Sequence, residues 1–126
     1  MLKDKNSSAI VAVKDIDRAK AFYSDVLELN LADTSMEGML GYRTGGTWLT
    51  VYKSDFAGTN QANAVTWDVG VELDDIVAGL KAKGVTFEHY DGMDREGDVH
   101  VAGPMRLVWF KDPDGNILHL VGGVPV

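Results

Sequence analysis

The chain has 126 residues, the size of one domain with an ordinary core, and at 45% apolar and 25% charged residues it has the make-up of a folded globular protein. It contains no cysteine, which excludes disulfides, thiolate metal sites and a cysteine nucleophile. Twelve Lys and Arg against nineteen Asp and Glu give a formal charge of −7, a field that repels polyanions and argues against nucleic acid or an anionic membrane as partner.

The first segment, Ser8 to Lys14, alternates as a strand does, with Ala9, Val11 and Val13 on one face. The period then changes. Asp15 is a good N-cap, and Ile16, Ala19, Phe22, Tyr23, Val26 and Leu27 recur at helical spacing to about Leu29. Three short strands are expected next, at Leu31 to Met36, Met39 to Thr44 and Thr47 to Lys53, with Gly45-Gly46 as the tight turn between the last two. Ser54 to Asn63 is polar and turn-rich and reads as a connection.

The second half of the chain repeats the pattern of the first. Val71 to Ile76 matches Val11 to Ile16 at an offset of sixty, so a second strand is expected to end in an Asp that caps a second helix, running to about Lys83 with Gly84 as its stop. Strands are then expected near Val85 to Tyr90, Arg106 to Lys111 and Asn116 to Val121, the last two joined by the turn Asp112-Pro113-Asp114-Gly115. The stretch Asp91 to Gly103 reads equally as a flap or as a long surface loop. Each half is therefore β-α-β-β-β, and no apolar run is long enough for a signal peptide or a membrane span, so a cytoplasmic home is expected.

Val13-Lys14-Asp15-Ile16-Asp17 leading to Ala21-Phe22-Tyr23 and Val26-Leu27, Leu73-Asp74-Asp75-Ile76 with Leu80 and Gly84-Val85, and Trp109 through Asn116 together make the sequence resemble the vicinal oxygen chelate superfamily. That superfamily includes glyoxalase, extradiol dioxygenases and the bleomycin and fosfomycin resistance proteins. The resemblance implies an α+β fold: one domain over 1–126, built from two βαβββ modules at about 8–53 and 65–121, whose mixed sheets curl around a cavity, usually in a homodimer.

Alternation sorts the strand residues into two faces. Ala9, Val11, Val13, Leu49, Val51, Val69, Val71, Leu73, Val108, Phe110, Leu118 and Leu120 belong under the helices. The opposite face then carries Ser8, Ile10, Ala12, Trp48, Thr50, Tyr52, Asp68, Gly70, Glu72, Leu107, Trp109, Ile117 and His119. This second face is too apolar for plain solvent and too polar for a sealed core, and it reads as the lining of a ligand cavity.

Metal-dependent members of the family place histidines and a glutamate on that face. Carried onto this sequence, the positions fall at Ser8, Thr50, Asp68 and His119, of which only Asp68 and His119 are ordinary ligands for a divalent ion. No resident metal and no other cofactor is therefore expected. Two functions draw support from this face, and a third, an interaction module with the face covered by a partner protein, has no positive support. In the first, the chain is a binding protein that holds a small organic molecule, with Trp48, Tyr52 and Trp109 as stacking faces, Ser8 and Thr50 beside them, and Asp68 and Glu72 favouring a cationic or hydrogen-donating ligand. In the second it is a lyase, isomerase or dioxygenase, either metal-dependent or with His119 as general base and Asp68 orienting its ring or holding a substrate proton. His89 and His100 are expected at the surface.

Overall fold

A computed structural model describes residues 1–123, so the last three positions of the expected 1–126 domain lie outside the described residues. The chain divides into two compact units, Met1–Gly58 and Thr59–Val126, which split the expected connection between them.

In the first unit β1 (Ala9–Val13) leads into α1 (Ile16–Lys20), followed by β2 (Asn30–Asp33), β3 (Met39–Thr44) and β4 (Thr47–Lys53). Asp15 caps α1 as the sequence implies, its Oδ1 accepting from the Arg18 amide at 3.0 Å. The helix does not continue as α. Ala21–Val26 widens into a π turn, with the Leu27 amide donating to the Phe22 carbonyl at 3.0 Å, and the chain leaves through Glu28 at φ 58°. The widening goes with Tyr23, which is fully buried against Tyr42, whose hydroxyl pairs with Ser24 at 2.9 Å. Burial pushes the Tyr42 hydroxyl above its ordinary pKa.

The sheet runs in the order β1-β4-β3-β2, with β1 parallel to β4 and the other pairs antiparallel. First and last strands of the unit thus lie side by side, which is possible because α1 carries the chain across one face. Val11, Val13, Leu49 and Val51 are buried there, as alternation predicts, and Gly45 at φ 55° makes the β3–β4 turn.

The second unit holds β5 (Asn63–Asp68), α2 (Leu73–Ala82), β6 (Phe87–Glu88), β7 (Asp94–Glu96), β8 (Val99–Ala102), β9 (Met105–Lys111) and β10 (Ile117–Gly123). Its sheet order is β5-β10-β9-β8-β7, and β6 also pairs with β9. Strand β5 is parallel to β10 as β1 is to β4, so the repeat of architecture is real.

Its register is not the one expected from the offset of sixty. Strand β5 stops at Asp68, whose Oδ1 accepts from the Gly70 amide at 3.2 Å, and Gly70 turns at φ 55° into a 3-10 segment, Gly70–Glu72. Helix α2 then starts at Leu73 without a side-chain cap, and Asp75 lies inside its first turn rather than capping it. Val69, Val71 and Glu72 therefore lie outside any strand. Val71 is 75% exposed, while Leu73 is buried as a helix residue. The signal that mattered was the turn Asp68-Val69-Gly70, which outranks the apolar alternation on either side of it.

Two devices hold the end of the sheet. Buried Asp112 accepts from the amides of Asp114 and Asn116 at 2.9 and 2.8 Å and from Asn116 Nδ2 at 2.8 Å, which explains the Asp-Pro-Asp-Gly-Asn run as a self-satisfied buried turn. Residues 91–103 are not a plain loop: β7 and β8 make a hairpin that extends the sheet beyond β9, with Val99 and His100 buried.

Candidate functional site

Pairing register builds the site in the second unit. Glu88 lies opposite Trp109, Trp109 opposite His119, and His119 opposite Thr66, so these four share one face in a single row across β6, β9, β10 and β5. The other face holds Phe87, Phe110, Leu118 and Val65, the side on which Phe87, Phe110 and Leu118 are buried.

The imidazole of His119 stacks on the indole of Trp109, with ring centroids 4.6 Å apart and planes 17° from parallel. Its Nδ1 lies 3.0 Å from the Val108 carbonyl oxygen, which can only accept, so Nδ1 carries a proton and the neutral ring presents its lone pair at Nε2. The indole is fixed in turn. Its Nε1 donates to Asn63 Oδ1 at 3.1 Å, and the rings of His100 and Tyr90 meet it at steep angles, 5.0 and 5.3 Å away.

His100 corrects the expectation of a surface residue. It is fully buried, its Nε2 accepts from the Tyr90 amide at 2.9 Å, and Nδ1 has no partner among the described residues. Strand β8 turns it inward, a placement that Val99-His100-Val101 between Gly97 and Gly103 could have signalled. His89 is at the surface, as expected, between Asp98 at 2.8 Å and Arg95 at 3.0 Å. Lys81 and His89 together hold the Asp98 carboxyl below its usual range.

Asp68 lies on the same face as His119 but opposite Val121, two places along β10, and no hydrogen bond joins the two among the described residues. The group that orients the imidazole is the Val108 carbonyl, so the expected orienting role of Asp68 is not what the geometry shows. Glu72 leaves the face with the 3-10 turn. Glu88 is the carboxylate that joins the row, at 3.2 Å from Lys111.

In the first unit Trp48, Thr50 and Tyr52 project half-buried from one face of β4, and Ser8 precedes β1 in an exposed stretch beside Trp48. The indole of Trp48 lies flat over Gly41, where a Cβ would collide with its Cζ2, and Arg43 covers it with the guanidinium carbon 5.7 Å from the ring centroid. Gly41, Arg43, Asn63, Thr66, Glu88 and Tyr90 all belong to the two faces without having been singled out in the sequence.

The donors present do not fit the divalent ion that the family resemblance implies. The first unit offers hydroxyls at Ser8 and Thr50. The second offers one imidazole nitrogen, with Asp68 displaced along the strand. Among the described residues, no three His, Asp or Glu side chains gather in a way that could hold an ion.

Comparison with known proteins agrees with the architecture. Among solved structures, FosX, a fosfomycin resistance protein of Listeria monocytogenes solved with Mn(II) and sulfate, is 20% identical with a TM-score of 0.72, covering 96% of this chain and 91% of that one. An integron cassette protein from the Halifax Harbour sewage outfall is 17% identical with a TM-score of 0.70, covering 94% of this chain and 98% of that one. A glyoxalase/bleomycin resistance protein/dioxygenase from Nocardioides is 17% identical with a TM-score of 0.66, covering 94% and 82%. At these identities the likeness is one of fold. No curated protein matches the sequence. The family model of the Glyoxalase/Bleomycin resistance protein/Dioxygenase superfamily matches residues 7–120, and the chain belongs to this superfamily.

Proposed function

We propose that the chain is a small-molecule-binding member of the superfamily that works without a resident metal. It takes a flat organic ligand against an aromatic sheet face. The observation that carries this reading is the stacked pair of Trp109 and His119, held rigid from behind by Asn63 and the Val108 carbonyl. A pre-oriented ring pair loses little entropy when a third ring joins it, and such contacts contribute about 0.5–1.5 kcal/mol beyond buried area. Asp68 and Glu88 on the same face favour a ligand with a cationic or hydrogen-donating substituent. Trp48, Thr50 and Tyr52 give the first unit a face of similar character.

Benzamidine is a suitable first probe. Saturable quenching of tryptophan fluorescence that disappears in Trp109→Ala supports the reading; quenching unchanged by that substitution refutes it. Stoichiometric zinc, nickel, manganese or iron retained after dialysis overturns the metal-free state. The same reading takes the two modules as one domain working as a homodimer in the cytoplasm, as the resemblance implies, and light scattering tests the dimer.

One observation favours a second reading, His119-based acid–base chemistry: the fixed Nδ1–H leaves Nε2 as the available base. Turnover of a substrate with a titration limb removed by His119→Gln would select it over plain binding.

A further inference from the structure

The first unit carries a group of cations that ring stacking on Trp109 and His119 does not use. Lys5, Asn6, Ser7 and Ser8 face Arg43 and Thr47 across an open groove of about 670 Å³, floored by Gly46 and Trp48. The chain carries nineteen acidic residues against twelve basic ones, so two cations lining one groove stand out. Elsewhere Lys3, Lys81, Arg106 and Lys111 each sit within 3.2 Å of a carboxylate. Among the described residues Lys5 and Arg43 make no such pair, and the contact that holds Arg43 is the Trp48 ring.

That ring contact matters for chemistry. A guanidinium held near an indole face keeps its N–H donors available, and their planar fork takes two oxygens of one anion at once. Ser7 and Ser8 supply hydroxyl donors, and Asn6 an amide. Thr47 is already committed, donating to the Thr44 carbonyl at 2.9 Å, so it offers its oxygen only as an acceptor.

We infer that this groove is an oxyanion subsite, which takes the carboxylate or phosphoryl group of a small organic ligand between Arg43 and Lys5. The subsite goes beyond the ring-stacking reading and does not involve Trp109 or His119. The net charge of the chain opposes any anion, so binding here must come from the local donors and must weaken as salt screens them.

The test is an NMR titration of the full-length ¹⁵N-labelled protein, following the Arg43 Nε–H and Trp48 indole N–H signals. Inorganic phosphate, phenyl phosphate and benzoate are the probes, and benzylamine is the opposite-charge control. Saturable shifts with the anions, absent with benzylamine and weakened at least tenfold in Arg43→Gln but not in the exposed-helix variant Lys20→Gln, support the subsite. Phenyl phosphate binding tenfold tighter than benzoate assigns a phosphoryl ligand; the reverse order assigns a carboxylate. Non-saturable shifts, or equal losses in both variants, overturn it, since general screening then explains everything. Trp109→Ala must leave the phosphate titration unchanged, so failure of ring stacking and failure of this subsite are read separately.

Discussion

Adding one methyl group at Gly122 is expected to destabilise the second unit, and the structure sets the size of the effect. Gly122 lies near the end of β10, where a Cβ would stand 2.7 Å from the Gly70 carbonyl oxygen, 3.0 Å from Leu73 Cβ and 3.3 Å from Leu73 Cδ2. None of these neighbours yields easily. The carbonyl belongs to a tight turn at φ 55°, and Leu73 is 1% exposed at the start of α2. Overpacking of this kind costs about 1–3 kcal/mol, while replacing Gly in a strand returns about 0.5–1 kcal/mol of backbone entropy. Gly122→Ala should therefore lose about 1–2 kcal/mol net, a fall in Tm of several degrees for a unit of this size. Gly79→Ala is the internal control: it sits in α2 with nothing within 4 Å of its Cβ, and should gain about 0.5–1 kcal/mol. Urea unfolding followed by tryptophan fluorescence gives both values, with an unchanged m-value showing that only stability moved. If Gly122→Ala is as stable as the parent, strand β10 does not pack against the Gly70 turn and Leu73 at these distances.

Further outcomes can be checked on the same preparation. Asp112→Ala strips the acceptor from three donors in a buried turn and should cost about 2–3 kcal/mol by urea unfolding, whereas an exposed turn would lose almost nothing. Gly41→Ala pushes the Trp48 indole off the strand, so the ring-current shift of the Arg43 side chain should vanish and stability should fall by about 1–3 kcal/mol. Asp15→Ala removes the cap of α1 at a cost of about 1 kcal/mol, but Asp75→Ala should cost less, because Asp75 caps nothing. The carboxyl of Asp98 is held down by Lys81 and His89, so its contribution is fully present above the ordinary carboxylate pKa and is lost as pH falls through its lowered folded value. An acid titration of stability should accordingly show a shallower loss in Asp98→Asn than in the parent; an identical acid limb would contradict the ion pairing.

Local chemistry made much of this protein legible in one dimension. Alternation placed Val11, Val13, Leu49, Val51, Val108, Phe110, Leu118 and Leu120 under the helices because a strand has two faces and only one of them meets a helix here. Asp15 announced its helix, and the double glycine and the Asp-Pro-Asp-Gly run announced their turns, because each depends on neighbours within four residues. The resemblance carried by those same motifs led to the superfamily that the family model confirms.

Tertiary contact decided the rest. Which residues stand beside His119 is set by strands distant in the sequence, and a turn at Gly70 ends β5 before the apolar alternation does, so Glu72 left the face and Glu88 joined it. Whether Asp68 orients the imidazole could not be known until β9 supplied the Val108 carbonyl at the right distance. His100 looked like a loop residue until the β7–β8 hairpin closed over it, and Arg43 looked like any surface cation until its ring partner was in place. A sequence records which side chains are available, but pairing register, which depends on hydrogen bonds between remote segments, determines which of them meet.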